Sequence, residues 1–467
     1  MRVRAYDAGD GDCVLVTSGD GVHALFDGGR KATFDSNTIA DLGALGAPLD
    51  LVCVSHVDND HIQGLVRLID GQIKRAVHQH QAATGNANAV APGDPAIAIN
   101  ELWHNAFDEV TGDQSGSIAS ALAAHHRMLS HFVTADGAAT SLWTTASRSA
   151  GSRLPDLEDV ARSDRFATGF LEGIELGRKA RIGTLGIRLN HDFRRKRPPL
   201  VKRPGRRETD DDIPERALGS TRLRVLAPTH RQLTEFGEQW KQWAADNADR
   251  IAALARDIES LLDTTAAGEP RIVEFARRSA VTPQNLVSIV VLAEESGHRV
   301  LLTGDTHQED ILDGLRAAGE LVTHQPGQQT GMHVDVLKVQ HHGSPNNLDA
   351  EFASRVTADH YVFCGNGASR NPAPKVIDDI IDSRVAPAGH KRRAVTPQAG
   401  DPFHLWFTTH PDRAGTPSRR DHMQALFDHV RQRMTDHPGA FGASALNGPC
   451  FDITPGQTPI RTTFQDV

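Results

Sequence analysis

Residues 51–64, Leu-Val-Cys-Val-Ser-His-Val-Asp-Asn-Asp-His-Ile-Gln-Gly, constrain this chain more than any other stretch. Leu51 to Val54 reads as a short buried strand, which runs straight into His56, Asp58, Asp60 and His61. Four ligand-type side chains within six residues, at the mouth of a strand, are not satisfied cheaply by packing. Neighbouring carboxylates repel one another unless cations neutralise them. Imidazole and carboxylate together suit a divalent metal of the zinc, manganese or iron kind. Alternation along extended backbone puts His56, Asp58 and Asp60 on one side. The turn into a helix over 62–69 then brings His61 to the same place. A polar helix cap at Asp60 explains one of these residues and leaves the others without a reason.

Several other strand ends carry chemistry. Strands at 2–7 and 13–17 flank the glycine-rich turn Asp7-Ala8-Gly9-Asp10-Gly11-Asp12, and Val22 to Asp27 ends in Asp27-Gly28-Gly29. A hairpin of Leu286 to Ala293 and Arg299 to Thr303 ends in Gly304-Asp305, and strand Val334 to Val339 ends in His341-His342-Gly343-Ser344. Between these, the patterning predicts helices at 36–45, 307–318 and 374–383 and strands at 74–79, 183–190, 221–227 and 361–364. Residues 81–180 break the pattern and read as a helical insertion, with helices at 97–109, 117–131 and 157–175; Trp103-His104-Asn105 there reads as packing rather than site. A second helical segment covers 230–265. Beyond 385, a strand (Phe403 to Thr408), a helix (Asp421 to Met434) and a strand (Cys450 to Ile453) form a C-terminal extension over 386–467.

The metal loop resembles that of the metallo-β-lactamase superfamily, His-x-His-x-Asp-His, and departs from it at the second histidine, here Asp58. Some phosphodiesterase-like members, including phosphorylcholine esterases, are similar in carrying aspartate there. The oxygen ligand makes the site harder, so manganese becomes a rival to zinc. Val300-Leu301-Leu302-Thr303-Gly304-Asp305 resembles the superfamily's Gly-Asp element, whose aspartate bridges two metals. Val336 to Ser344 is similar to the Leu-Lys-Val-x-His-His-Gly-Ser signature of the metal-dependent domain in competence DNA-uptake proteins, and Asp7 to Cys13 to the opening of the same domains. This resemblance implies an αββα sandwich over 1–385. It also implies a ligand set of His56, Asp58, Asp60, His61, Asp305 and His341, with His341 slightly ahead of His342. Asp60 and His342 would be the catalytic pair, His342 donating a proton to the leaving group. Asp12 and Asp27 would orient ligands from behind. Two departures stand out: Asn285 replaces the family's middle histidine, and Arg370-Asn371-Pro372 occupies the place of a late His-Pro.

Charge bounds the partners. A formal net charge of −9 argues against a protein that coats nucleic acid generally, but a local basic groove is compatible with it. Arg194 to Arg207 holds eight Lys or Arg in fourteen residues, followed by Glu208, Asp210, Asp211 and Asp212. That loop, 191–212, reads either as an arm for phosphates or as a solvated linker whose two charge blocks satisfy each other. Cys13, Cys53, Cys364 and Cys450 form no CxxC pair and read as reduced thiols. With no apolar leader and no membrane-length run, the expected compartment is the cytoplasm, without a membrane partner.

The reading is a metal-dependent hydrolase, a phosphodiesterase or nuclease. Two divalent cations, zinc first and manganese second, would hold a hydroxide between them for in-line displacement. Its partner is a phosphodiester substrate, with nucleic acid one candidate. The alternatives are a thioester or lactam metallohydrolase, disfavoured by Asn285, and a non-catalytic regulatory subunit that keeps the fold.

Overall fold

The computed structural model describes residues 1–85, 91–105, 173–193 (except 174–175, 178 and 182), 200–203, 213–246, 287–321, 330–457 and 463–466. Its strands form two sheets. A seven-stranded sheet runs, in spatial order, Cys450–Ile453, Arg2–Tyr6, Val14–Thr17, His23–Phe26, Leu51–Cys53, Glu101–Trp103 and Arg188–Leu189. A nine-stranded sheet runs Phe464–Asp466, Phe441–Ala445, Phe403–Phe407, Val356–Phe363, Met332–Lys338, His298–Leu302, Val290–Glu295, Thr221–Ala227 and Glu215–Leu218.

The sheets pack face to face because their strands are apolar on both faces. Val3, Ala5, Val14 and Val16 meet Val291, Ala293, Val300, Val336 and Val362 in the layer between the sheets. The outer face of the nine-stranded sheet buries Leu301, Leu337, Tyr361 and Phe363 against helices Gln308–Ala317, Pro374–Val385 and Pro417–Asp436. The outer face of the other buries Leu15, Leu25 and Val52 under Ile62, Leu65, Leu68 and Ile69 of helix Asn59–Ala83. Four layers result, helix–sheet–sheet–helix, as the αββα expectation requires. Among the described residues no helix is long and apolar enough to cross a membrane.

Some local expectations are corrected. The strand expected at 74–79 is the second half of helix Asn59–Ala83. The apolar face that begins at Ile62 continues through Ile73 at helical spacing. Arg67, Gln72 and Arg75 then tie the helix to Asp94 and Ile97. In place of a helix from 97, Glu101–Trp103 is a strand, parallel to Leu51–Cys53, with Leu102 and Trp103 fully buried. The strand expected over 183–190 shrinks to Arg188–Leu189 after a 3₁₀ turn at Gly183–Leu185. The helix expected at 117–131, all of that expected at 157–175 except residue 173, residues 247–265, and most of the basic loop, including Arg194 to Arg197, lie outside the described residues. Residues 386–467 are woven into both sheets: Cys450–Ile453 pairs antiparallel with Arg2–Tyr6, and Phe403–Phe407 continues the larger sheet in parallel with Val356–Phe363.

Candidate metal centre

The site forms where strand ends of both sheets meet. Strand Leu51–Cys53 delivers Ser55 and His56, and helix Asn59–Ala83 begins directly behind them. Asp58 occupies the N-cap position of that helix, yet its side chain caps nothing. Its carboxylate instead lies 3.7 Å from His56 Nε2. Strand His298–Leu302 delivers Asp305, and strand Met332–Lys338 delivers His341 and His342.

Asp305 is the hub. Its Oδ2 lies 3.3 Å from His342 Nε2, 3.4 Å from His61 Nε2, 3.8 Å from His341 Nε2 and 3.9 Å from His56 Nε2. Each of these rings is held from its other nitrogen. His61 Nδ1 donates to Asp27 at 2.9 Å, and His342 Nδ1 to the Cys364 carbonyl at 2.8 Å. The Ser55 hydroxyl donates to Asp27 at 2.7 Å, so it is left to accept from His56 Nδ1 at 3.0 Å. Asn347 donates its amide to the Asp305 carbonyl, which turns its oxygen to His341 Nδ1 at 2.7 Å. With Nδ1 committed as donor, each Nε2 presents a lone pair, as a metal-ligating imidazole does. The Nε2 atoms of His56, His61 and His342, and Oδ1 of Asp305, are buried and have no hydrogen-bond partner. Orphaned polar atoms of this kind are costly unless something else satisfies them. The donor set fits a divalent cation, and the aspartate-for-histidine change at Asp58 keeps it on the oxygen-rich side.

Electrostatics agree. Burial would raise the Asp305 carboxyl, but His342, His61 and His341 hold it well below the usual carboxylate range. Asp60 is likewise held low against burial, chiefly by His342, whose Nε2 lies 3.3 Å from its Oδ2, and by His61. Burial works against protonated His61 and His342, yet Asp305 and the surrounding aspartates push both well above their ordinary value. His341 goes the other way: burial lowers it, with Asp305 opposing. The carboxylates thus demand positive charge at this point.

Backbone strain marks the same residues. Asp27, His341 and His342 all have left-handed φ, at 58°, 47° and 55°. Non-glycine residues rarely adopt it, and such strain gathers at functional sites. One glycine is sterically obligatory: a Cβ at Gly11 would stand 1.6 Å from the Asp60 carbonyl oxygen. That oxygen accepts from Asp12 N at 3.2 Å, which locks the 9–12 turn onto the metal loop.

The structure therefore brings together His56, Asp58, Asp60, His61, Asp305, His341 and His342. Asn285 lies outside the described residues. Asp12 comes close enough to join the cluster, since one ligand atom each from Asp12, His61, Asp305 and His342 fall within 4.8 Å of one another. Its oxygens, however, face the Nδ1 sides of His61 and His342, at 3.7 and 3.3 Å, so it lies behind the rings. Sequence reasoning missed Lys338. Its buried ammonium pairs with Asp12, donates to the Gly304 carbonyl at 3.0 Å and lies 3.7 Å from Asp305 Oδ1. A lysine three residues before the histidine pair, following the apolar Val336 and Leu337, was the available signal.

The family model of the metallo-β-lactamase superfamily matches residues 6–137, a span that includes His56, Asp58, Asp60 and His61. The match covers less than a third of the chain, and the two packed sheets with their outer helices are consistent with a metallo-β-lactamase sandwich. Among individual proteins, microtubule-associated protein 1A is similar over a short stretch: 28% identical over 115 residues in Rattus norvegicus and 25% over 114 in Mus musculus. The matched stretch is 24% of this chain and 4% of either relative, so the likeness covers a small part of those proteins.

Proposed function

We propose that this chain is a metal-dependent phosphodiesterase. The observation that carries the reading is the convergence of four imidazole Nε2 atoms on Asp305, three of them buried without a partner. His56, Asp58, Asp60, His61, His342 and Asp305 would hold the divalent metal, with Asp305 at the centre of the set. Bound divalent cations supply Lewis acidity toward phosphoryl oxygens and lower the pKa of a water. The chain's own residues do the rest. Asp27, Ser55 and the Cys364 carbonyl fix the rings, and Lys338 holds Asp12 against the backs of His61 and His342. Of the adjacent histidines, His342 is buried between Asp60 and Asp305 and is the firmer ligand. His341, whose side chain is 29% exposed, is the group able to accept and pass on a proton at Nε2. This reverses the order expected from sequence.

A phosphodiester is favoured over a lactam or thioester by the oxygen-rich donor set and by the likeness of residues 7–13 and 336–344 to the DNA-uptake domains. The rival reading is a non-catalytic binding module, and the name of the microtubule-associated relatives is its support. Buried imidazoles aimed at one carboxylate count against it, because a scaffold has no use for them. The test is hydrolysis of bis(p-nitrophenyl) phosphate in zinc or manganese. Asp305→Asn removes the charge shared by the ligands and should lose about 3 kcal/mol of transition-state stabilisation, a factor above about a hundred in rate. No turnover by the wild-type chain with either metal would reject the reading.

A further inference from the structure

Beside the metal centre lies a cluster of arginines that the metal-site chemistry does not employ. Arg30 grips Asp10 with both Nε and Nη2, at 2.7 and 3.1 Å. That pair is geometrically complete. Arg419 nevertheless brings its Nη2 to 3.6 Å from the same carboxylate, beyond hydrogen-bond length. Among the described residues Arg419 has no other acidic partner, and its side chain is 28% exposed. Asp7, the next carboxylate along the turn, is already engaged by Arg413 and Thr409.

The position is next to the reacting centre. Asp10 precedes Gly11 and Asp12, whose backbone rests on Asp60, and Arg30 is close enough to help hold the Asp60 carboxyl low. Arg419 is placed by a strained loop. Its backbone packs on Gly367, where a Cβ would meet the Arg419 carbonyl oxygen at 2.8 Å. Gly367, Ser369 and Arg370 have φ of 89°, 52° and 59°. Two residues before Gly367, a Cβ at Gly365 would stand 3.3 Å from His342 Cβ. Among the described residues Arg30 and Arg419 approach the same Asp10 carboxylate, and a second guanidinium beside a carboxylate already paired suits an added anion. Arginine's planar fork is suited to phosphate oxygens.

The geometry points to a second anion subsite: Arg30 and Arg419, both set against Asp10, hold a phosphate that neighbours the scissile one. This rests on the phosphodiesterase reading and deepens it. The substrate class is then a chain of phosphodiesters, or a diester with a further phosphate, rather than a single diester carrying a cationic headgroup.

The experiment measures binding of thymidine 3′,5′-bisphosphate and thymidine 5′-monophosphate to the full, metal-loaded chain by titration calorimetry. The bisphosphate should bind at least about tenfold more tightly, and Arg419→Ala should shrink that gap to within about threefold. Arg419→Lys should keep part of it. Arg419→Gln, read beside circular dichroism, serves if the alanine variant does not fold. Equal affinities in the wild type, no binding of either ligand, or a gap that survives loss of Arg419 would each overturn the subsite. Turnover of bis(p-nitrophenyl) phosphate on the same preparation separates the two claims. Turnover without the gap sinks only the subsite, and an Arg419-dependent gap without turnover sinks only the hydrolase reading.

Discussion

Lys338 and Asp12 form an ion pair in which both side chains are almost completely buried, 3% and 4% exposed. Desolvation opposes the charge on Lys338, yet Asp12 and Asp305 raise its ammonium above its ordinary value. Within it the Lys338 ammonium places a positive charge 3.7 Å from Asp305 Oδ1, offsetting part of the site's negative charge.

Removing one partner of such a pair leaves the other charged and alone. Lys338→Met should therefore destabilise the chain by about 3–5 kcal/mol, measured by urea unfolding with metal chelated. A loss under about 1 kcal/mol would show that Asp12 finds its compensation elsewhere.

Gly11 offers a purely steric test. Its missing side chain admits the Asp60 carbonyl, and an added methyl would overlap it. Gly11→Ala should push the 9–12 turn off the metal loop and lower metal content, read by elemental analysis on folded protein. Full metal content in that variant would mean that the turn does not position Asp60.

A pH dependence is built in far from the site. Burial, with His360 adding repulsion, lowers His404 from 6.5 to about 4, while its Nε2 stays 2.9 Å from the Ser444 hydroxyl. The unfolded chain binds this proton more readily than the folded one. The stability gained by keeping His404 neutral is thus fully present above pH 6.5 and drains as the pH falls towards 4. The full effect is about 3 kcal/mol. Comparing wild type with His404→Gln in chelator, the wild type should lose stability faster between those pH values. Parallel curves would refute the assignment.

How much of this was legible depends on sequence distance. His56, Asp58, Asp60 and His61 announce themselves because four ligand types crowd one strand end. Asp305 and the histidine pair were legible because they also follow apolar strands. The packing order was not. Helix Asn59–Ala83 outran its expected end because tertiary contacts from Arg67 and Arg75 to Asp94 hold a weakly apolar half. Arg30, Asp10 and Arg419 meet only because the helix Pro417–Asp436 packs beside a loop hundreds of residues earlier in the chain. No periodicity encodes such a meeting. The directions in which His341 and His342 point follow from consecutive left-handed residues, a conformation that their sequence does not advertise.

The central claim is that this convergence of histidines and aspartates holds metal, and metal content tests it most directly. Protein purified without chelator, measured by inductively coupled plasma mass spectrometry, should carry more than one and up to about two equivalents of zinc, manganese or iron per chain, and Asp305→Asn markedly less. Less than about a tenth of an equivalent, with no uptake when zinc or manganese is supplied, would contradict it.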